Sequence, residues 1–430
     1  MRCWIVATMR KAILRMNKFH QDQFPDGPRI LFVGLAESTH THSWIDLLKT
    51  SGFNVRLFAL PTGIPPNNWK VQTYVTKVMV GDCGSSEYRY RFRPDLGRAL
   101  NKVQSLMMRG MEEYKMGPWG RKWLNQVIHK WHPDIIHTLG LDPASFLFYK
   151  WIKTIDRKSF LWIITARGGP ELALKRKLPE EQARISAVLR ECDCFIADND
   201  LNYRYAIELG LDPKKCASVG SVPGTGGVDV DAINILRKEK ASTQRTIVWP
   251  KAYECPASKA LPVLEAFKLC WQRIQPVKII MTAIIPETRM WLANQPPEIR
   301  NTCVTLDRVP REEMLKLFAT ARIVLMPSLT DGVPNTLYEA MGAGALPIVS
   351  PLETITPLVE KARNVLYARN LYPQEIADAL AYAMNDDQMI DEAAENNLVR
   401  VREIAEREMI RVKVTRFYHK LLQRRSYPSL

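Results

Sequence analysis

The chain has 430 residues, 46% hydrophobic and 24% charged, which is too long for one ordinary core and supplies enough apolar material for two packed α/β domains. With 60 Lys and Arg against 45 acids the formal net charge is +15, which favours anionic partners: a nucleotide diphosphate, an anionic membrane surface or nucleic acid. No zinc-ligand spacing, recognition helix or RNA-binding signature accompanies that charge, so nucleic acid ranks last. The scattered cysteines, Cys192 and Cys194 included, read as free thiols in a reducing cytosol.

The first stretch, MRCWIVATMRKAILRMNKF, is basic, and its apolar run from Cys3 to Met9 is interrupted by Arg10 and Lys11. A membrane span needs about 20 apolar residues, and a signal peptide needs a small-residue cleavage site; the stretch has neither. Two readings stay open for residues 1–27, a basic extension. It is either a helix lying on a membrane surface through Trp4, Ile5, Ile13 and Leu14, or an extra helix packed on the first domain.

From Pro28 the chain reads as a βαβ opening. Ile30 to Val33 is a buried-strand run, Gly34 opens a loop, a helix is expected from about Thr41 to Ser51, and Val55 to Leu60 makes the next strand. The loop carries Glu37, Ser38, Thr39, His40, Thr41 and His42, a polar density that suits either a ligand-facing edge or helix capping. Tyr88 to Arg93 alternates aromatic and basic residues, and Trp123, Val127 and Trp131 fall on one helical face, for core packing or for contact with an acceptor or lipid. Further strands are expected at Asp134 to His137, Ser159 to Ile164, Cys194 to Ala197 and Ala217 to Val219, and Arg237 to Arg245 reads as a linker. His137, at a strand end, is either a hydrogen-bonded core histidine or a catalytic one.

The second half repeats the alternation. Strands are expected at Thr246 to Trp249, Val277 to Met281, Cys303 to Leu306, Ile323 to Met326 and Leu346 to Val349, with an edge strand at Asn364 to Tyr367. The densest information lies between Ile323 and Ser350, IVLMPSLTDGVPNTLYEAMGAGALPIVS. A strand buried on both faces ends at Pro327, and Gly332 lets the backbone approach a ligand closely. Pro334 then starts a helix whose first amides, on Asn335, Thr336 and Leu337, offer an anion site suited to a diphosphate. Asp331 and Glu339 flank that site. Carboxylates there would repel the anion, so neutral hydroxyls, such as those of a sugar and a ribose, are their expected partners.

At DGVPNTLYEAMGAGALPIVS the sequence resembles the donor-binding signature of retaining glycosyltransferases of the GT-B fold, in particular glycosyltransferase family four, with Asp331 where the family usually has Glu. The resemblance implies an α/β fold of two Rossmann-like doubly wound domains facing a central cleft, and it spans about Pro28 to Leu422. It implies an acceptor-side domain at 28–232, a donor-side domain at 233–405, and a last helix, 406–430, packing back on the first domain. It also implies roles. Lys251 and Lys259, in PKAYECPASKALPVLEAF, match the family's basic phosphate-binding positions; the backbone near Val309 borders the base; and Gly34 lies in a glycine-containing loop at the cleft. Asp331 would take the transferred sugar and Glu339 the ribose. TARGGPELALKRK resembles the family's His-Gly cleft loop with Arg167 in place of the His, where it would either stabilise negative charge or stand as a surface cation.

The implied activity is sugar transfer from a nucleotide diphosphate donor to a hydroxyl of a glycan or lipid-linked acceptor, with retention. No metal or other cofactor is expected, because side chains and helix dipoles neutralise the leaving diphosphate. A cytoplasmic location, peripheral on the inner face of a membrane, follows from the charge and the basic start. The alternatives are a GT-B sugar-nucleotide epimerase or phosphorylase, or a catalytically silent nucleotide-sugar-binding subunit.

Overall fold

The computed structural model describes residues 21–60, 65–66, 68–75, 86–88, 118–152, 157–166, 168 and 170–426. The basic start and most of the aromatic-basic stretch after Tyr88 lie outside them. The first sheet holds β1 (Arg29–Gly34), β2 (Asn54–Ala59), β3 (Gln72–Val75), β4 (Ser86–Tyr88), β5 (Ile135–Leu139), β6 (Leu161–Thr165) and β7 (Cys194–Ile196), in the order β4-β3-β2-β1-β5-β6-β7. The second holds β8 (Thr246–Trp249), β9 (Lys278–Met281), β10 (Cys303–Thr305), β11 (Ile323–Met326), β12 (Leu346–Val349) and β13 (Leu366–Tyr367), in the order β10-β9-β8-β11-β12-β13. Every pairing is parallel.

Parallel sheets covered on both faces need strands that are apolar throughout, and these are. Ile30, Leu31, Phe32 and Val33 are all fully buried. Leu31 and Val33 enter one helical layer, while Ile30 and Phe32 enter the other. Trp123, Val127 and Trp131 are buried in the first of these layers, which makes them core residues. β3 and β4 were not expected, since QTYV and SEY are short segments without a sustained apolar pattern. Conversely, Ala217 to Val219 forms no strand. A single parallel bridge joins Phe195 to Cys216, and the chain turns at Gly220 with a φ of 74°.

Strand order reverses between β1 and β5 in the first sheet and between β8 and β11 in the second. Loops leaving the carboxyl ends at such a reversal splay apart and open a crevice, the usual ligand position in an open α/β sheet. The loops after β8 and β11, which carry Lys251 and Asp331, therefore flank one crevice.

Two crossings join the domains. The helix Asp387–Ala405 packs on the second domain, the chain breaks at Glu406, and the helix Arg407–Ser426 lays Ile410, Val414, Phe417 and Tyr418 into the first domain's core. At the break, the Val228 amide donates to the Ala405 carbonyl at 2.8 Å and the Arg407 amide to the Val228 carbonyl at 2.9 Å. Gly227, with a φ of 85°, makes this possible, because a Cβ there would stand 2.4 Å from the Ala405 oxygen. Arg407 then donates to Ser43 Oγ and to the Thr225 and Ser43 carbonyls, at 3.0, 3.0 and 2.8 Å.

Deeper along the last helix, the Tyr418 hydroxyl accepts from Trp44 Nε1 at 3.3 Å and shares a 2.6 Å hydrogen bond with His137 Nδ1, whose Nε2 meets Thr165 Oγ1 at 2.6 Å. Burial keeps the Tyr418 phenol far above its ordinary value, hence neutral. Removing that hydroxyl leaves polar atoms of Trp44 and His137 without this partner in the core, which costs about 1–3 kcal/mol. Tyr418→Phe should accordingly lower the urea midpoint of the first domain's unfolding; an unchanged midpoint would show that the hydroxyl contributes nothing to anchoring the helix.

Candidate functional site: the cleft between the two sheets

The donor-side half of the cleft is assembled from loops following adjacent strands. Lys251, two residues beyond β8, places its Nζ 2.7 Å from Asp331 Oδ2, beyond β11. Both side chains are largely buried. Burial alone would lower the Lys251 ammonium; Asp331, with Tyr253, overcomes it and lifts the group above its ordinary value, so the lysine stays charged. Thr354 Oγ1 lies 3.1 Å from each of the Asp331 and Gly332 carbonyls, fixing the turn from behind.

Pro334, with extended backbone (φ −67°, ψ 129°), precedes the helix Asn335–Gly342. The Leu337 amide is spent on the Pro334 carbonyl at 2.9 Å. Of the three expected donors, Asn335 and Thr336 are thus the ones whose amides lead the helix N-terminus. The Asn335 side chain faces the domain junction, its Oδ1 accepting from Thr225 Oγ1 at 2.8 Å. Glu339 lies one turn further, 8% exposed, and accepts from Arg311 Nε at 2.7 Å. Burial pushes the Glu339 carboxyl up, and Arg311 pulls against it. Arg311 begins the helix that follows half-buried Val309, so Val309 and Glu339 belong to one neighbourhood.

Lys259 lies further along the loop after β8, which is tied to the turn after β11 by the Ser258 hydroxyl donating to the Pro327 carbonyl at 3.3 Å and the Leu329 amide to the Ala257 carbonyl at 2.8 Å. The Lys259 Nζ pairs with Glu254 at 3.4 Å, and its side chain lines a hollow of about 460 Å³ with Leu261, Glu287, Trp291 and Leu371. Glu254 turns the loop this way by accepting the Ala260 and Leu261 amides at 2.7 and 3.2 Å, which ties the carboxylate to the start of the helix.

In the first domain, Gly34 ends β1 packed against Leu139 and Thr41; a Cβ there would stand 3.4 Å from each. Arg167 lies outside the described residues. His137 is fully enclosed between Tyr418 and Thr165 and packs near Phe32 and Trp44. That is the core alternative, and it takes His137 away from the cleft surface. Glu171, two residues beyond the Gly-Gly of the same loop, accepts the Leu141 and Asp142 amides at 3.0 and 3.3 Å and thereby shapes the turn after β5.

The residue that the sequence reading passed over is Asp198, just beyond β7. It is 5% exposed. Its Oδ1 accepts from Asn199 and Asn202 at 2.8 Å each, and its Oδ2 accepts the Gly168 amide at 3.2 Å. Gly332 of the second domain rests directly on it, since a Cβ on Gly332 would lie 2.3 Å from Asp198 Oδ2. An acid at the carboxyl end of a parallel strand, in ADND, was the available signal. Elsewhere across the boundary Arg204 pairs with Glu353.

Two parallel Rossmann-like domains whose carboxyl-end loops meet across a cleft, with a final helix returning to the first domain, define the GT-B class. Residues 245–386, about a third of the chain and within the second domain, match the family model described as Glycosyl transferases group 1. Solved structures share the whole architecture. HepE from Anabaena, in complex with UDP-glucose, is 14% identical with a TM-score of 0.63, over 92% of this chain and 99% of that one. Sucrose-phosphate synthase from Thermosynechococcus elongatus is 13% identical with a TM-score of 0.67, over 92% and 99%. A glycosyltransferase from Rickettsia africae is 14% identical with a TM-score of 0.62, over 93% and 99%. At such identities the likeness is one of fold. A comparison with curated proteins found no match.

Burial pushes the Asp198 carboxyl up to about 6, from 3.8; bonds from Asn202 and Gly168 oppose the rise and the Asp331 charge adds to it. The folded protein therefore holds this proton more tightly than the unfolded chain. The group's contribution to stability is full below about pH 4 and is lost as pH rises through about 6. Relative to wild type, Asp198→Ala should gain on the order of 2–3 kcal/mol between those limits. Urea unfolding of both proteins from pH 4 to 7 measures the difference, and a flat difference would contradict the raised value.

Proposed function

We propose that the protein transfers a sugar from a nucleotide diphosphate donor to a hydroxyl acceptor, with retention at the anomeric carbon, in the synthesis of a surface glycan or glycolipid. The observation that carries this reading is the junction of Lys251, Gly332 and the helix start at Asn335 and Thr336 on one turn of a glycosyl transferases group 1 domain. A diphosphate gains negative charge as the glycosidic bond breaks. An ammonium held in a poorly solvated site and outward amides at a helix N-terminus stabilise that charge most when it is largest. HepE was crystallised with UDP and with UDP-glucose, which favours the same class of donor here.

In this reading Asp331, paired with Lys251, accepts hydrogen bonds from hydroxyls of the transferred sugar. Glu339, its charge offset by Arg311, accepts from the ribose, and Val309 borders the base. Lysine and helix dipole together replace a metal. Arg167 is assigned to negative charge in the cleft, while His137 keeps its core role. No helix among the described residues is long and apolar enough to cross a membrane. The +15 charge supports reversible attachment to the cytoplasmic face of an anionic membrane, where each nearby Lys or Arg contributes about 1 kcal/mol.

Incubation of the purified protein with labelled nucleotide sugars and candidate acceptors, with and without EDTA, tests the proposal. The expected result is transfer that survives the chelator and yields a product with the donor's anomeric configuration. Epimerised donor without transfer, phosphate-dependent release of sugar phosphate, or binding with no turnover would each replace the transferase reading by the corresponding alternative. Running the reaction with anionic vesicles at low and high salt adds the location: salt-reversible pelleting supports the membrane face, and no pelleting under either condition removes it.

A further inference from the structure

Two loops that meet across the domain boundary are each built around a glycine, and one buried carboxylate stands against both. Asp198 occupies both of its oxygens inside its own domain, Oδ1 with the side-chain amides of Asn199 and Asn202 and Oδ2 with the Gly168 N–H. The opposing turn is equally fixed, because Thr354 holds the carbonyls of Asp331 and Gly332. A Cβ on Gly332 would come within 2.3 Å of Asp198 Oδ2 and 2.8 Å of the Gly168 Cα, so a larger residue has no room. The contact therefore depends on glycine on one side and on a rigidly held acid on the other.

We propose that Asp198 is a positioning residue for the donor site: through Gly168 and Gly332 it sets the first domain in register with the turn that carries Asp331. The inference rests on the reading of this cleft as a nucleotide-sugar site. Its chemistry is specific to a carboxylate. All three partners are N–H donors, and they approach two different oxygens. An asparagine has one acceptor oxygen, so it would turn an NH₂ group either toward the Gly168 amide or toward the amides of Asn199 and Asn202. A buried charge is costly to desolvate, and an apolar side chain would fill the same space without that cost. What the carboxylate adds is a fixed direction for the Gly168 loop at the place where Gly332 arrives. Asp331 and Tyr338 of the second domain are the titratable groups that sense this charge, and Lys251 balances Asp331 from its other side.

Amide exchange read by mass spectrometry, together with donor kinetics, tests the proposal on Asp198→Ala, Asp198→Asn and Gly332→Ala. In Asp198→Ala, exchange should rise about tenfold both near Gly168 and across 327–337 in the other domain, as expected for loss of charge-assisted hydrogen bonds. The kcat should fall at least about tenfold with the donor KM within about twofold, and Asp198→Asn should fail to rescue it. Unchanged exchange at 327–337, or a raised KM at normal kcat, overturns the proposal. Should Asp198→Ala not fold, Gly332→Ala decides the matter from the other side, since it pushes the turn away while leaving the bonds within the first domain in place; unchanged exchange near Gly168 then overturns it. If the wild-type protein transfers no sugar, the functional reading falls, while the exchange measurement still decides whether Asp198 couples the two loops.

Discussion

The cleft depends on the pairing of Lys251 with Asp331 across the switch point of the second sheet. Each group alone would be expensive to hold where it stands, since an unpaired buried charge shifts its pKa and neutralises. Paired, they keep a cation and an anion side by side in a poorly solvated crevice. That combination suits a substrate with a charged diphosphate at one end and uncharged hydroxyls at the other. The strand order makes the pairing possible, because β8 and β11 are neighbours although 80 residues separate the two side chains.

The same logic extends outward. Glu339 is held by Arg311, Asp198 by three N–H donors, and the crossings between domains by Arg407 and by backbone bonds at Val228. Each of these polar groups has a partner that fixes its direction. Preorganisation of this kind is what a site needs if it is to stabilise developing charge without rearranging. Tyr418 plays the corresponding part within the first domain, anchoring the returning helix through Trp44 and His137.

Much of this was legible in the chain itself. Central strands were visible because both of their faces are buried, so their apolar runs are continuous. The donor turn was visible because its glycine, proline and helix-start residues act on the backbone within a few positions of one another. β3 and the edge strand β4 were not, since they are only four and three residues long and carry no sustained apolar run. The contact of Lys259 with Glu254 was not legible, because Glu254's hold on the helix start has no signature in spacing. Asp198 was hidden, and the choice between the two readings of His137 stayed open, for a stronger reason: their roles arise from Gly332, in the opposite domain from Asp198, and from Tyr418, 281 positions from His137. Leu337 shows the limit even within a recognised motif, where a single 2.9 Å bond to Pro334 removes one of three expected donors.

A crystal structure of the protein with the nucleoside diphosphate that it binds best tests the central claim most directly. The account predicts terminal phosphate oxygens about 2.7–3.2 Å from Lys251 Nζ and from the amide of Asn335 or Thr336, with the ribose turned toward Glu339. A diphosphate bound away from Lys251 and from the helix that begins at Asn335 would contradict it.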